Sequence, residues 1–227
     1  MKLSIIIPTY NEENTITELV QYVQAVNYPV PYEIVIVDDA SHDRTYEKGA
    51  NLKSVRIFRN PVNRGKGFSV RRGISEATGD FIVIQDADTE YDPREIPKLL
   101  EPILRGEAEV VYGSRFLGNP HPEGMAFPSF AANKVLTQLT NLLFGLHLTD
   151  METCYKVFKA DRVKNLPLRA NRFAFEPEVT AQIAKSGVTI KELPISYRGR
   201  SGKAGKKIKA RDFFFAVGTL VWQRLTR

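Results

Sequence analysis

Short apolar segments alternate with helix-type segments along the first half of the chain. The apolar segments are rich in Ile and Val and show no regular alternation of polar and apolar residues. Strands that are apolar on both faces are typical of parallel sheets covered by helices on each side. The pattern therefore predicts an α/β fold with a Rossmann-like, mostly parallel central sheet and helices on both faces. The predicted strands are 3–8, 33–37, 55–58, 81–84 and 109–114, and the predicted helices are 14–26, 44–52, 68–77 and 93–104.

Polar residues follow four of these predicted strands, and three of the four groups are acidic. In an extended segment, side chains two residues apart point the same way, so Asp86 and Asp88 can face one ligand across the small Ala87. A divalent cation removes the repulsion between two such carboxylates, and Mg²⁺ or Mn²⁺ is commonly held by carboxylates and substrate phosphates. Ligands of such sheets lie beyond the carboxyl ends of the strands, so we expect a nucleotide–metal site there. The four groups are Tyr10-Asn11-Glu12, Asp38-Asp39, Asp86-Ala87-Asp88 and Gly113-Ser114-Arg115.

Cysteine content and the N-terminal sequence restrict the expected compartment. The single cysteine, Cys154, excludes an internal disulfide and a cysteine-based zinc site, and it fits a reducing compartment. The first residues run directly into a strand pattern without the features of a signal peptide. No apolar run approaches the roughly 18 residues that span a bilayer. We expect a cytoplasmic location, with peripheral contact at the cytoplasmic membrane face as an open alternative.

Positive charge is concentrated at the C-terminal end of the chain. The net charge is +6, and residues 191–227 alone contain ten Lys and Arg against two acidic residues, a balance of +8. The basic stretch 203–211 precedes an aromatic-rich apolar segment, which suits either an anionic membrane surface or packing on the sheet. Nucleic acid is not an expected partner, because no aromatic residue is interleaved with these basic residues.

The second half of the chain is less regular than the first. Residues 118–128 are rich in Pro and Gly and predict a long loop. A wide apolar stripe over 132–146 predicts a helix, for which packing in the core is favoured over membrane contact. Further segments predict strands at 154–158 and 188–197 and helices at 176–185 and 212–227.

Five short motifs occur in order at the ends of the predicted elements. Together they resemble the family 2 glycosyltransferases of the GT-A fold, and within that family the polyprenyl-phosphate sugar synthases such as the dolichol-phosphate mannose synthases. The likeness continues into 194–200 and Lys206, so residues 1–200 are expected to form the GT-A domain and residues 201–227 a basic tail with an apolar helix. The motifs are Ile7-Pro8-Thr9-Tyr10-Asn11-Glu12, Val37-Asp38-Asp39-Ala40-Ser41, Asn63-Arg64-Gly65-Lys66-Gly67, Asp86-Ala87-Asp88 and Gly113-Ser114-Arg115.

The resemblance implies an inverting, metal-dependent glycosyltransferase whose donor is a nucleoside diphosphate sugar of the GDP-mannose or UDP-hexose type. Asp86, Ala87 and Asp88 would hold Mg²⁺ or Mn²⁺ and the donor diphosphate. Arg115 would lie near the phosphates, and two cationic residues of the tail would close over them or meet an acceptor phosphate. The two carboxylates and the tail arginine would be catalytic. The positions that line the nucleoside would be Pro8, Tyr10, Glu12, Val37 and Asp39. The two cationic residues of the tail are Arg200 and Lys206.

Two kinds of acceptor remain open. A polyprenyl (dolichyl-type) phosphate needs cationic groups but no strong base, because a phosphate monoester with a second pKa near ~6 is already largely ionised. A hydroxyl acceptor must lose a proton, and a positioned carboxylate normally takes it. Asp150 and Glu152 are the candidate bases, since they stand where the family often has a Ser/Thr–Gly pair. We favour the lipid phosphate. Gly65-Lys66-Gly67 is either a phosphate-binding loop or a plain helix N-terminus.

Overall fold

The part of the chain that the structure describes folds around one sheet of seven strands. The computed structural model describes residues 1–199 and 210–226. The strands are β1 Leu3–Thr9, β2 Tyr32–Asp38, β3 Val55–Arg59, β4 Phe81–Ile84, β5 Val110–Ser114, β6 Lys156–Lys159 and β7 Ile190–Pro194. Their order across the sheet is β3-β2-β1-β4-β6-β5-β7. All strands are parallel except β6, which lies antiparallel between β4 and β5.

Helices connect most of the strands. The helices are α1 Ile16–Ala25, α2 Thr45–Ala50, α3 Lys66–Glu76, α4 Ile96–Leu104, α5 Phe127–Phe144, α6 Ala160–Lys164, α7 Phe175–Lys185 and α8 Ala210–Leu225, and a 3₁₀ turn, Pro93–Glu95, precedes α4. The connections through α1 and α2 step towards the β3 edge, whereas the connection through α3 steps back across the sheet. Right-handed crossovers therefore place α3 on the face opposite α1 and α2, as expected for a sheet covered on both sides.

Burial explains why the first strands are mostly apolar on both faces. Every residue of β1 is buried, and so are the last five residues of β2. One close approach fixes α3 on this sheet: a Cβ on Gly73 would overlap the side chain of Ile6 in β1. Glycine at this position thus lets the helix backbone lie directly against the strand.

The predicted parallel α/β architecture is confirmed, and the differences lie in the second half. The strand predicted at 154–158 is β6, and its antiparallel direction was not predicted. The loop predicted at 118–128 ends at residue 126, because α5 begins at Phe127 with Pro128 in its first turn, where proline needs no hydrogen-bond donor. The short helix α6 was not predicted.

The C-terminal helix packs on α5 and α7 through a narrow stripe. Asp212, Ala216, Leu220 and Gln223 are buried, and Gln182 of α7 donates a 2.6 Å hydrogen bond to Gln223. The opposite face of α8 is open: Phe214 is 72% exposed and Trp222 is 65% exposed.

Helix α5 also keeps part of its apolar surface outside the core. Leu136 is buried, but Leu142 is 82% exposed. Within residues 1–199 and 210–226, no helix combines the length and hydrophobicity that a membrane span requires.

Candidate functional site

The carboxyl ends of β1, β2 and β4 meet at one edge of the sheet, because β1 lies between the other two strands. The backbone N–H of Asp39 donates to the carbonyl of Thr9 at 2.8 Å, and that of Gln85 donates to Ile6 at 2.9 Å. Residues 10–12, 38–41 and 86–88 therefore lie on neighbouring segments. The sequence prediction that the acidic strand ends share one edge agrees with this arrangement.

Asp39 holds the loop that leads into α3. The residue is 2% exposed, and its carboxylate accepts hydrogen bonds from Asn60 Nδ2 at 2.8 Å and from the backbone N–H of Gly65 at 2.6 Å. The backbone N–H of Arg64 donates to it as well, at 3.0 Å. Gly65 has a φ of 92°, a conformation that favours glycine. The carboxylate thus fixes the position of Lys66, the first residue of α3.

Of the other residues expected to line the nucleoside, two are buried and two are partly exposed. Pro8 and Val37 are buried neighbours in the β1–β2 register. The Tyr10 ring meets His42 edge-on at 6.2 Å. The Glu12 carboxylate accepts a hydrogen bond from Thr15 Oγ1 at 3.0 Å and so supports the start of α1.

An open cavity of about 460 Å³ lies beside this group, at the ends of β2 and β3. Ser41, His42, Arg59 and Asn60 contribute to its lining. Arg59 Nε lies 3.3 Å from the buried carboxylate of Asp38, which holds the guanidinium at the cavity wall. The nucleoside side of the strand ends therefore has space bordered by hydrogen-bonding groups.

Asp86 lies beside Lys66, for which the sequence allows either a phosphate-binding loop or a plain helix N-terminus. Lys66 Nζ is 2.8 Å from Asp86 Oδ1 and 2.9 Å from Glu176 Oε1, so one ammonium bridges two carboxylates. Burial opposes the charge on Asp86, but the adjacent Lys66 outweighs it and lowers the pKa of the carboxyl. Lys66 thus belongs to the site through its side chain as well as through its place at a helix start.

Asp88 and Ala87 complete the strand-end motif. Asp88 Oδ1 accepts a 3.2 Å hydrogen bond from the backbone N–H of Glu90, and Ala87 is 4% exposed. Within the described residues, no group of three or more His, Cys, Asp or Glu side chains is arranged to hold a metal ion with protein ligands alone. Two carboxylates suit Mg²⁺ or Mn²⁺, which take their remaining ligands from phosphate and water. The residues present therefore fit a metal that binds together with a diphosphate.

Arg115 and Asp150 form a buried ion pair. Arg115 Nε lies 2.7 Å from Asp150 Oδ2, and Nη2 lies 2.7 Å from Oδ1, in a two-pronged geometry. The side chains are 7% and 0% exposed. Both oxygens of Asp150 are therefore occupied and closed off from solvent, which does not suit a base for a hydroxyl acceptor. Arg115 is directed to this carboxylate.

Glu152 and Glu176 are two further acidic residues on this side of the molecule. One oxygen of each, Glu152 Oε1 and Glu176 Oε2, is buried without a hydrogen-bond partner among the residues that the structure describes. Burial, and next the negative charge of Glu176, raise the pKa of Glu152 from 4.5 to about 8. The fully buried Lys156 donates to the carbonyl of Met151 at 2.9 Å and contributes a positive charge near both acids.

The residues expected at the site and the residues that the structure places there are not the same set. Arg200 and Lys206, predicted to meet the phosphates, are outside the described residues. Glu176 was not predicted, and Lys66 was predicted only as part of a glycine-flanked motif. The sequence does not single out Glu176, since Glu178 is a second buried acid in the same first turn of α7.

Comparison with known proteins agrees with this architecture. A low-salt glycan biosynthesis hexosyltransferase of Haloferax volcanii is 32% identical over 204 residues, which are 89% of this chain and 49% of that protein. A UDP-N-acetylglucosamine–dolichyl-phosphate N-acetylglucosaminyltransferase of Methanococcus voltae is 31% identical over 246 aligned positions, covering 96% of this chain and 97% of that protein. The chain thus spans about half of the first relative and nearly all of the second.

The fold has a clear counterpart among solved structures. Glucosyl-3-phosphoglycerate synthase of Mycobacterium tuberculosis superposes with a TM-score of 0.79 at 19% identity, covering 98% of this chain and 79% of that chain. This likeness shows the GT-A fold. In sequence, residues 4–166 match the glycosyl transferase family 2 domain. The match takes in the strand ends, Lys66, the Asp86–Asp88 pair and the Arg115–Asp150 pair, and on it the chain belongs to glycosyl transferase family 2.

Proposed function

We propose that the protein transfers a sugar from a nucleoside diphosphate sugar to the phosphate of a polyprenyl lipid, with inversion at the anomeric carbon. The observation that carries the proposal is the Asp86–Asp88 pair at the end of β4, beside Lys66 and open nucleoside-side space. The membership of family 2 and the relatives described above support the reaction class.

Asp86 and Asp88 would hold Mg²⁺ or Mn²⁺ against the donor diphosphate. When bound, the ion neutralises the negative charge that grows on the leaving diphosphate. Lys66 lies within 2.8 Å of Asp86 and places a second positive charge at the same point. The Mycobacterium synthase of the same fold is crystallised with Mn²⁺ and UDP, which supports this use of the strand ends.

In the proposed reaction, an oxygen of the acceptor phosphate attacks the anomeric carbon from the face opposite the diphosphate. A carbon–oxygen bond to the acceptor forms while the bond to the diphosphate oxygen breaks, and the electron pair leaves with the nucleoside diphosphate. No proton has to be removed from the acceptor, since its phosphate is ionised. The chain must then supply positive charge to hold the acceptor, and the basic residues of 191–227 are available in sequence.

Two observations favour the lipid phosphate over a hydroxyl acceptor. One of the two candidate bases, Asp150, is fully buried and paired to Arg115. The Methanococcus relative carries dolichyl phosphate in its name as the acceptor. Glu152 has an unpartnered oxygen within the described part of the chain. It therefore remains the residue through which the alternative, transfer to a hydroxyl, has to be tested.

We also propose that the protein meets its acceptor at an anionic membrane surface through α8. Phe214, Phe215 and Trp222 are exposed on this helix, and Arg211 and Arg224 stand near its two ends. Aromatic rings enter the interfacial region of a bilayer while cationic residues contact anionic headgroups. A lipid phosphate would thereby be reached without leaving the membrane.

The decisive experiment is a transfer assay with a panel of UDP- and GDP-sugars and three acceptors. These acceptors are a polyprenyl phosphate, the matching polyprenol and a soluble glycoside, each tested with Mn²⁺, with Mg²⁺ and with EDTA. We expect transfer to the phosphate alone, loss of transfer in EDTA, and loss in Asp88→Asn. Asp161→Asn, an exposed acid in α6, is the matched control and should retain transfer. Transfer to the polyprenol or glycoside that Glu152→Gln abolishes would establish the hydroxyl alternative.

A further inference from the structure

The interior of the protein retains two unpaired carboxylate oxygens beside the proposed donor site. Glu176 is 4% exposed, yet its Oε2 has no hydrogen-bond partner among the described residues, and the same is true of the buried Glu152 Oε1. Most buried polar atoms in folded proteins are hydrogen-bonded, because an unpaired one retains its full desolvation penalty. Two such oxygens are open to a ligand that donates hydrogen bonds.

The chain path brings both groups to the edge of the sheet where the donor is proposed to bind. Strand β6 runs antiparallel between β4 and β5, so the segment before it, which contains Glu152, lies at the carboxyl ends of those two strands. Glu176 lies in the first turn of α7 and shares the Lys66 ammonium with Asp86. Lys156 and Tyr112 join the two segments: Lys156 Nζ donates to the carbonyl of Met151, beside Glu152, and lies 4.6 Å from the centroid of the Tyr112 ring. The Tyr112 hydroxyl is 2.9 Å from Thr180 Oγ1, which donates to the carbonyl of Glu176 one turn earlier in α7.

The chemistry of the two groups restricts what can bind them. A free carboxylate oxygen accepts hydrogen bonds, so the ligand has to present O–H or N–H groups. A second cation is disfavoured because Lys66 already neutralises Glu176, and Lys156 adds charge nearby. An ionised carboxylate or phosphate group of a ligand offers only acceptor oxygens, which cannot complete the free oxygen of Glu176. The ligand at this position is therefore uncharged and rich in hydroxyls.

We propose that Glu152 and Glu176 bind the hydroxyl groups of the donor's sugar, and that this sugar is a neutral hexose or N-acetylhexosamine rather than a uronic acid. The inference rests on the proposed function, since the sugar is attached to the diphosphate that Asp86 and Asp88 would hold. A sugar in that place lies next to Lys66 and so next to Glu176. The two acids are then specificity-determining residues of the donor site.

Calorimetric titration of the full chain with Mn²⁺ and without acceptor tests the inference. UDP-glucose, UDP-N-acetylglucosamine and GDP-mannose are each compared with bare UDP or GDP, and the donor that binds the parent most tightly is used for the variants. Glu152→Gln and Glu176→Gln should each weaken that donor about tenfold while leaving the bare nucleotide within about twofold, because a hydrogen bond to the acidic side chain is lost only for the sugar. Glu101→Gln, an exposed acid of α4, should change neither affinity.

The uronate of the same nucleotide, UDP-glucuronate or GDP-mannuronate, gives a second readout. The parent should bind it more weakly than the neutral donor, and Glu176→Gln should narrow that difference. Melting temperatures without ligand should not fall in Glu152→Gln, since its orphaned oxygen loses no partner. Equal changes for the donor and its bare nucleotide, or no change for either, would overturn the inference while leaving the proposed function intact. Absence of donor binding in the parent would instead contradict the proposed function.

Discussion

Replacing Asp150 by Asn should destabilise the protein strongly, because the change leaves Arg115 as a buried charge without a counter-ion. The substitution keeps the shape of the side chain and removes only its charge and one acceptor. Arg115 donates to Asp150 through Nε, Nη2 and the backbone N–H, at 2.7, 2.7 and 2.9 Å. An amide can retain at most part of this set, and it cannot neutralise the guanidinium.

The magnitude follows from burial. Side-chain exposures of 7% and 0% exclude the solvent that would otherwise screen the charge. Breaking a buried pair by removing one partner typically costs about 3–5 kcal/mol. For a domain of this size, about 3 kcal/mol corresponds to a fall in Tm of roughly 6–12 °C.

Urea denaturation followed by circular dichroism measures the loss, with the m-value checking that the transition remains comparable. Asp92→Asn is the matched control, because Asp92 makes a similar two-pronged contact with Arg94, whose side chain is 83% exposed. It should change stability little, as exposed pairs do. The combination Arg115→Met with Asp150→Leu should recover much of the loss, since it removes both charges. If Asp150→Asn were as mild as the control, Arg115 would not depend on Asp150 for its charge.

Three further predictions concern pH, packing and membranes. The pKa of Glu152 is about 8 in the fold against 4.5 ordinarily, so the folded state holds the extra proton between these values and stability falls as pH rises through that window. Urea titrations at pH 5.5 and 8 should show this fall in the parent, and less of it in Glu152→Gln. Gly73→Ala should lower the free energy of unfolding by about 1–3 kcal/mol, because the added methyl group overlaps Ile6. Gly218→Ala, with open space around it in α8, should raise the free energy of unfolding by about 0.5–1 kcal/mol. An equal effect of the two substitutions would refute the close approach of α3 to β1. Trp222→Ser should reduce co-sedimentation with anionic vesicles at low salt, and unchanged binding would exclude α8 as the contact.

The first half of the fold could be predicted because its signals are local. Apolar runs such as 81–84 are buried on both faces, and this favours parallel strands whatever their neighbours are. The direction of β6 has no such signal, because the apolar pattern of a four-residue strand is the same beside a parallel and beside an antiparallel neighbour. The start of α5 was predicted too late because Pro128 suggested a loop, although proline is also common in the first helical turn.

The candidate site likewise has a part that the sequence predicts and a part that only the fold brings together. Asp86 and Asp88 are two residues apart and could be singled out as a pair from the sequence alone. However, β4 ends at Ile84, so the strand geometry expected for them does not extend to these residues. Lys66 and Glu176 are far apart in sequence, and only the path of the chain brings the ammonium between Glu176 and Asp86. Arg115 and Asp150 were each singled out for a separate role, but sequence spacing contained no sign that they bind each other. Pairing between distant charges is a property of the fold rather than of either motif.

The antiparallel insertion of β6 also affects how the chain folds while it is being synthesised. Strand β4 pairs with β1 on one side, but its other edge is covered only by residues 156–159. At about 5–20 residues per second, a ribosome needs roughly 4–14 s to make the intervening segment. During this interval the nascent chain carries an unpaired apolar edge, the kind of surface to which another copy can add a strand. Chains that terminate before Lys156 should therefore aggregate, instead of accumulating as a soluble N-terminal half.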